Sequence, residues 1–339
     1  MPQFSRVENK YFNYDFFAVG LSVFFLGLFK KVVIADSLSP YATEAFSAVS
    51  NGNILSFFEA WNGVLAYTFQ LYFDFSGYSD MAVGVAFLFG IRLPINFNSP
   101  YQSFSIIEFW QRWHITLSRF LRDYLYIPLG GNRKGATRKY VNLLTTMLLG
   151  GLWHGAGWTF IVWGGLHGIY LVVNHAWRNL KRLLSINSSS NAFSRYVSRF
   201  ITFFFIVIAW VYFRADSMDS ANMMIKSLFG YGGVIWPEEA RYQLGVFADI
   251  FAQWGMRYQY LSYFNGIDHV LLMTALLLFV LFSPNVHQLF YHTPAVINPP
   301  DPSNISWRPE KKWMIIIMLA AVTSILKLGQ VSEFLYFQF

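Results

Sequence analysis

Residues 141 to 177 are apolar enough to enter a lipid bilayer and long enough to form two short spans, yet a histidine lies in the middle. The run is Gly150-Gly151-Leu152-Trp153-His154-Gly155-Ala156-Gly157-Trp158. Its glycines mark a bend or a broken helix. An ionisable group at that depth is costly, so it faces a bundle interior or a wet cavity and often marks proton transfer or a substrate path.

The rest of the chain repeats this constraint. Residues 14 to 35 read as a first span ending at Lys30-Lys31, and residues 61 to 93 as one or two more, interrupted by Asp74, Ser76, Ser79 and Asp80. Residues 200 to 213, 269 to 283 and 313 to 329 read as further spans. Ser37 to Gly52, with Pro40, reads as a loop, and residues 284 to 312 as a proline-rich loop. Several spans fall short of the ~20 residues that a perpendicular helix needs, so tilted or broken helices are expected, six to eight in number. No whole segment repeats. Only 13% of residues are charged against 55% hydrophobic, which makes the expected fold class an all-α polytopic integral membrane protein, one domain over residues 1–339.

The net charge of +7 does not form a nucleic-acid surface, because the basic residues gather in short loops between apolar segments. Residues 112 to 139 hold seven Lys/Arg and one Asp, and residues 178 to 199 hold five and no acid. Both belong on the cytoplasmic side, with the His154 bend across or within the bilayer. Residues 214 to 268, with four basic and six acidic residues, fit the outer, periplasmic face as a connection where a polymer or partner docks. The chain has no cysteine, which excludes thiolate chemistry, disulfides and cysteine-zinc sites. Met1-Pro2-Gln3-Phe4 carries no basic region before a cleavable apolar core, so insertion is expected to rely on the spans themselves.

Residues 101 to 128 differ in kind. Ser105 and Glu108 form a capping-box pattern, and Ile106, Trp110, Trp113, Leu117, Phe120 and Tyr124 recur at helical spacing. Arg112, Ser118, Arg119 and Arg122 lie opposite. An amphipathic helix of this kind suits the membrane surface or a shallow re-entrant position, and Pro128, Gly130 and Gly131 end it.

His154 is poised either as a general base toward an acceptor hydroxyl or as a structural histidine between helices. His114 sits at the edge of the amphipathic helix beside Trp110 and Trp113, either lining a tunnel mouth or resting at the interface. His167 is a weaker candidate, because thirteen residues of continuous helix would turn it away from His154. His175, His269, His287 and His292 read as solvated. Asp74 and Asp80 are about 240° apart on an ideal helix and form no paired-carboxylate site. Each is expected to neutralise a buried arginine, with a proton relay as the alternative. No hydrolase elbow, zinc-protease motif, phosphate-binding loop or metal-ligand spacing is present.

Three ordered motifs carry a resemblance: QLYFDFSGYSDMAVG at 70 to 84, FWQRWHITLSRFLRDYLYIPLGGNRKG at 109 to 135 and GGLWHGAGWTFIVWGGLHG at 150 to 168. They resemble the membrane-bound O-acyltransferase superfamily, in its bacterial alginate O-acetyltransferase membrane-subunit branch, densely over residues 1 to 215. The ending Glu333 to Phe339 also resembles the family terminus. The resemblance implies a ring of tilted and broken helices around a central tunnel in the bacterial inner membrane. His154 would be the catalytic histidine and His114 the second functional one. Trp110, Arg112, Trp113, Trp153, Asp74 and Asp80 would lie along the substrate or donor path. No bound cofactor or metal is implied. Acetyl would pass from cytoplasmic acetyl-CoA toward hydroxyls of an exported polysaccharide such as alginate, finished by hydrolase-like periplasmic partner proteins. Family members carry further helices before the point where this chain begins, so a shortened N-terminus is expected. The alternatives are D-alanyl transfer to teichoic acid, acetyl transfer to peptidoglycan, a proton-coupled transporter using Asp74, Asp80 and His154, or a non-catalytic scaffold.

Overall fold

The computed structural model describes residues 3–5, 11–185, 191–264, 266–293, 295–297 and 299–329. The Glu333 to Phe339 ending lies outside them. The architecture is mostly helical, with only short two-stranded pairings between its loops.

Helix α1 (Tyr14–Leu28) starts at Asn13, whose side chain accepts from the Asp15 and Phe16 amides, and runs through π-helical turns at Phe29–Ala35 into α2 (Asp36–Ser50). The expected loop at Ser37 to Gly52 is therefore helix. Pro40 stands inside it, and the buried face of Leu38, Ala42, Ala45, Phe46 and Val49 outweighs the proline signal. Helix α3 (Phe57–Leu88) is one 32-residue element where one or two spans were expected, and a reciprocal Ser56–Glu59 capping box fixes its start.

Helices α1 and α3 meet on glycine. A Cβ on Gly27 would come 2.7 Å from the Gly77 carbonyl oxygen, and one on Gly84 would come 2.6 Å from that of Gly20. Backbone approach of this kind is how helices associate where lipid supplies no hydrophobic drive. It brings the π-helical Lys30 and Lys31 against α3. Lys30 pairs with Asp80 at 2.8 Å, and Lys31 with Asp74 at 2.6 Å and Asp36 at 2.9 Å. His287 adds a 3.0 Å contact to Asp80. The expected arginine partners are thus lysines. All of these side chains are largely buried, so removing one partner would strand a charge at a cost of roughly 3–5 kcal/mol.

The amphipathic stretch is not one helix. Helix α4 (Ile106–Arg112) stops at Trp113, His114 takes a left-handed conformation at φ 41°, and α5 (Ile115–Leu121) resumes before π-helical turns at Arg122–Tyr126. Ser105 accepts from the Glu108 amide, but the Glu108 carboxylate reaches the Phe104 amide instead, so half of the capping box forms.

Helices α6 (Gly135–His154) and α7 (Trp158–Leu183) form the expected hairpin, broken at Gly155–Gly157. A Cβ on Gly151 would overlap the Phe160 carbonyl, and one on Gly164 that of Met147. Helix α8 (Ala192–Arg214) packs on α7. The 214 to 268 connection carries α9 (Met218–Leu228), α10 (Glu238–Leu244) and α11 (Val246–Gln253), and its Ile235–Pro237 and Arg257–Gln259 segments pair as parallel strands. Helix α12 (Ile267–Phe282), α13 (Val286–Leu289) and α14 (Lys311–Lys327) follow, and Val296–Ile297 pairs with Leu93–Pro94.

Among the described residues, two helical stretches, Tyr14–Ser50 and Ala192–Arg214, are by themselves long and apolar enough to cross a bilayer. The main core joins α2, α3, α8 and α9 to the α4 aromatics, with Tyr67, Phe69, Phe109, Trp163 and Trp210 buried in it.

The hairpin supplies an internal comparison. Gly164→Ala should lower stability by roughly 1–3 kcal/mol by forcing the backbones apart. Gly165→Ala, whose Cβ meets only Leu148 at 3.5 Å, should leave the midpoint unchanged or raise it slightly. Thermal unfolding of the two variants in detergent checks this, and equal midpoints would refute the close backbone contact.

Candidate active site

His154 is the last residue of α6, held where the hairpin turns. The Gly151–Gly164 contact brings it against α7, where its ring meets Trp163 edge-on at 5.2 Å, and Phe213 of α8 at 5.1 Å. Trp153, itself exposed, closes a third side at 4.9 Å. Among the described residues, no hydrogen bond reaches its ring nitrogens. The imidazole is caged by rings and chemically open.

His114 arrives from a different element. Its left-handed backbone ends α4 and turns the ring onto Phe75 of α3 at 4.7 Å. A non-glycine residue in this region costs energy and persists where the surroundings hold it. Here Asn96 does so. Its carbonyl oxygen accepts from the Ile115 amide at 3.0 Å, and its side-chain oxygen from the Thr116 amide at 3.2 Å and hydroxyl at 2.9 Å. The same Oδ1 lies 3.1 Å from His114 Nδ1.

That contact sets the tautomer. A backbone N–H can only donate, so the Asn96 atom facing Thr116 is the oxygen, and His114 Nδ1 must supply the proton. In the neutral ring Nε2 is then a bare acceptor, and it is buried with no partner among the described residues. Two imidazoles from separate elements thus each keep at least one ring nitrogen without a protein partner among the described residues.

His167 joins them through α7. Sequence spacing placed it away from His154 on the premise of a continuous helix, and the break at Gly155–Gly157 removes that premise. It is fully buried, and Trp163 lies between it and His154, 5.1 Å from its ring. Trp110 Nε1 donates to its Nδ1 at 3.2 Å, so its own proton sits on Nε2. Trp110 is thus tied to the histidine row. Trp113 is buried among Phe97, Phe109 and Trp210 and supports the site from behind.

Arg112 is committed elsewhere, to Glu108 at 2.7 Å and the Asn98 carbonyl at 3.3 Å. Asp74 and Asp80 sit in the lysine network. Of the histidines read as solvated, His287 and His269 are buried, the latter against Tyr41, and His175 is half-buried on Lys139, while His292 is exposed. The nearest sequence signal for Asn96 is its place in the polar Asn96-Phe97-Asn98-Ser99 turn.

Two cavities flank the 110–116 segment. One, of about 430 Å³, lies between α4, α5 and the hairpin; it runs from Arg119, Arg122 and His175 to Trp110 over an apolar wall of Leu143, Met147 and Leu171. Arg122 is paired with Asp123, whereas Arg119 has no ion pair among the described residues. The other, of about 480 Å³, is lined by Phe75, Tyr78, Asn96, His114 and Thr116.

Residues 2–215 match the family described as membrane-bound O-acyltransferase. Over 234 residues, 69% of this chain and 43% of the relative, the sequence is 52% identical to a peptidoglycan O-acetyltransferase of Helicobacter pylori. Over 336 residues, 98% of this chain and 64% of the relative, it is 41% identical to a probable alginate O-acetylase AlgI of Pseudomonas putida. A teichoic acid D-alanyltransferase of Streptococcus thermophilus is 32% identical over 213 residues, 57% of this chain and 51% of that protein. The chain thus spans between 43% and 64% of the length of these three relatives.

Nitrogen NMR of the histidine-labelled protein should find the neutral His114 ring protonated on Nδ1 and the His167 ring on Nε2. Asn96→Ala should release His114 into a tautomer mixture and leave His167 unchanged. Nε2-protonated His114 in the unaltered chain would contradict the assignment.

Proposed function

The chain belongs to the membrane-bound O-acyltransferase family, and from that membership we propose that it is the membrane-embedded catalytic part of an O-acetyltransferase acting on an exported polysaccharide. It sits in the bacterial inner membrane as a multi-pass protein whose tilted helices enclose a tunnel. Acetyl enters from a cytoplasmic thioester, acetyl-CoA, and leaves toward glycan hydroxyls outside, where hydrolase-like periplasmic partners complete delivery. The observation that carries this reading is the pair of imidazoles. His114 and His154 come from separate elements, and among the described residues no protein group bonds His114 Nε2 or the His154 ring nitrogens.

His154 takes the proton of an acceptor hydroxyl as its oxygen attacks the thioester carbonyl. The carbon–sulfur bond then breaks, and the departing thiolate receives that proton, so ester and thiol are the products. His114 offers its Nε2 lone pair to orient the hydroxyl, with its Nδ1–H spent on Asn96. The aromatic cage of Trp153, Trp163 and Phe213 limits water, which would otherwise hydrolyse the thioester. The cavity beneath α4 and α5 suits the donor arm, with apolar walls for the pantetheine and Arg119 at the rim for anionic groups.

The acceptor divides into two readings. Alginate is favoured by the relative that aligns along nearly the whole chain, and peptidoglycan by the relative of higher identity over a shorter stretch. Both present secondary or primary hydroxyls on an exported glycan, so one imidazole pair serves either.

In membranes supplied with labelled acetyl-CoA, the expected result is label on polymer. His154→Ala should cost at least about 10²–10⁴-fold in rate with membrane insertion unchanged. Arg119→Gln should raise the donor KM while leaving kcat near its original value. Transfer that survives His154→Ala would overturn the mechanism. Running alginate and peptidoglycan in parallel assigns the acceptor, and label on neither would reject both readings.

A further inference from the structure

A second basic site lies away from the histidines. Phe104, Ala192, Arg195, Tyr196, Arg199 and Phe282 enclose a cavity of about 250 Å³ between the start of α8 and the end of α12. Arg195 and Arg199, one helical turn apart, rest their guanidinium groups on Phe104 at 5.0 and 4.8 Å, and Arg199 also faces Phe282 at 5.6 Å. Stacking leaves the in-plane N–H donors pointing outward. Arg199 gives one donor to the Leu281 carbonyl at 3.0 Å, and its buried Nε has no partner among the described residues.

The charge there is uncompensated. Arg178 reaches the Ser105 hydroxyl at 3.4 Å. Among the described residues, no carboxylate pairs with Arg178, Arg195 or Arg199. Glu108, the acid in electrostatic range of Arg199, is already bound by Arg112 and the Phe104 amide. Four arginines thus face one occupied carboxylate. An anion would complete the cluster.

The surroundings say which anion. Next to the cavity residues along the same two helices, α8 exposes Phe200 and α12 exposes Leu278 and Phe279. A ligand bound here meets guanidinium donors at one end and two apolar helix faces at the other. That is the profile of a phospholipid, since a soluble phosphate uses only the first part. We propose that this cavity binds the headgroup phosphate of an anionic phospholipid, with its acyl chains lying along α8 and α12. The proposal rests on the membrane reading above and on the cytoplasmic placement of residues 178 to 199, where anionic headgroups attract basic residues. It requires no acyl transfer, so it can fail while the enzymatic reading stands. A lipid there would brace α8, which carries Phe213 of the histidine cage.

The test is native mass spectrometry of the full chain released from mixed micelles of phosphatidylglycerol and phosphatidylcholine with matched acyl chains. The unaltered chain should retain phosphatidylglycerol in preference by about tenfold. Arg195→Gln should reduce that preference severalfold, and Arg195→Gln with Arg199→Gln should abolish it. Arg195 is exposed, so the single variant should fold and keep the test decisive. Arg119→Gln, in the other cavity, should retain the full preference. Equal retention of both lipids, or a preference unchanged in the double variant, would overturn the proposal. So would displacement of the lipid by coenzyme A or inorganic phosphate, which would assign the arginines to a soluble phosphate.

Discussion

The site depends on backbone contact between α6 and α7 at Gly151 and Gly164. Any side chain at either position would strike a carbonyl of the facing helix, so the two helices can lie this close only because both residues lack a Cβ. Three residues after Gly151 the chain reaches His154, and one before Gly164 it reaches Trp163. The contact therefore sets the ring-to-ring approach of His154 and Trp163. It also lets α7 carry His167 down to Trp110, linking the hairpin to the broken helix that bears His114.

The opposite wall is built the same way. Glycine contacts hold α1 on α3, and the π-helical turns after α1 deliver Lys30 and Lys31 to acids on α3. Such buried pairs offset their own desolvation poorly, but breaking them is expensive, so they specify a single register more than they stabilise. With α3 fixed, Phe75 is in place for His114, and the Asn96 turn that follows α3 can hold that ring by its Nδ1. His287 ties α13 into the same network. The acids at 74 and 80 are held in this wall by the lysines.

Much of this was legible in the residues. The hairpin at 141 to 177 and its break at the glycines follow from an ionisable group set in apolar sequence, and the family motifs single out His154 and His114 as the candidate pair. What escaped had local causes. Pro40 signals a loop, but a buried apolar face of α2 overrides it. The Ile106 to Tyr124 periodicity continues through position 114, while the break there comes from Asn96, eighteen residues earlier, gripping the Ile115 and Thr116 amides. His167 was set aside by helical arithmetic that the Gly155–Gly157 turn invalidates. Lysine partners for Asp74 and Asp80 depend on which helices are neighbours, and no spacing within one segment reveals that.

Whether His114 and His154 act as one unit is read from single-turnover acetyl transfer by His114→Gln, His154→Gln and the variant carrying both. If the rings serve one proton path, the double variant should be about as slow as the slower single variant, because residues that act together lose their contribution together. Losses that multiply would mean two independent contributions. A single variant that keeps its full rate would remove that histidine from the chemistry.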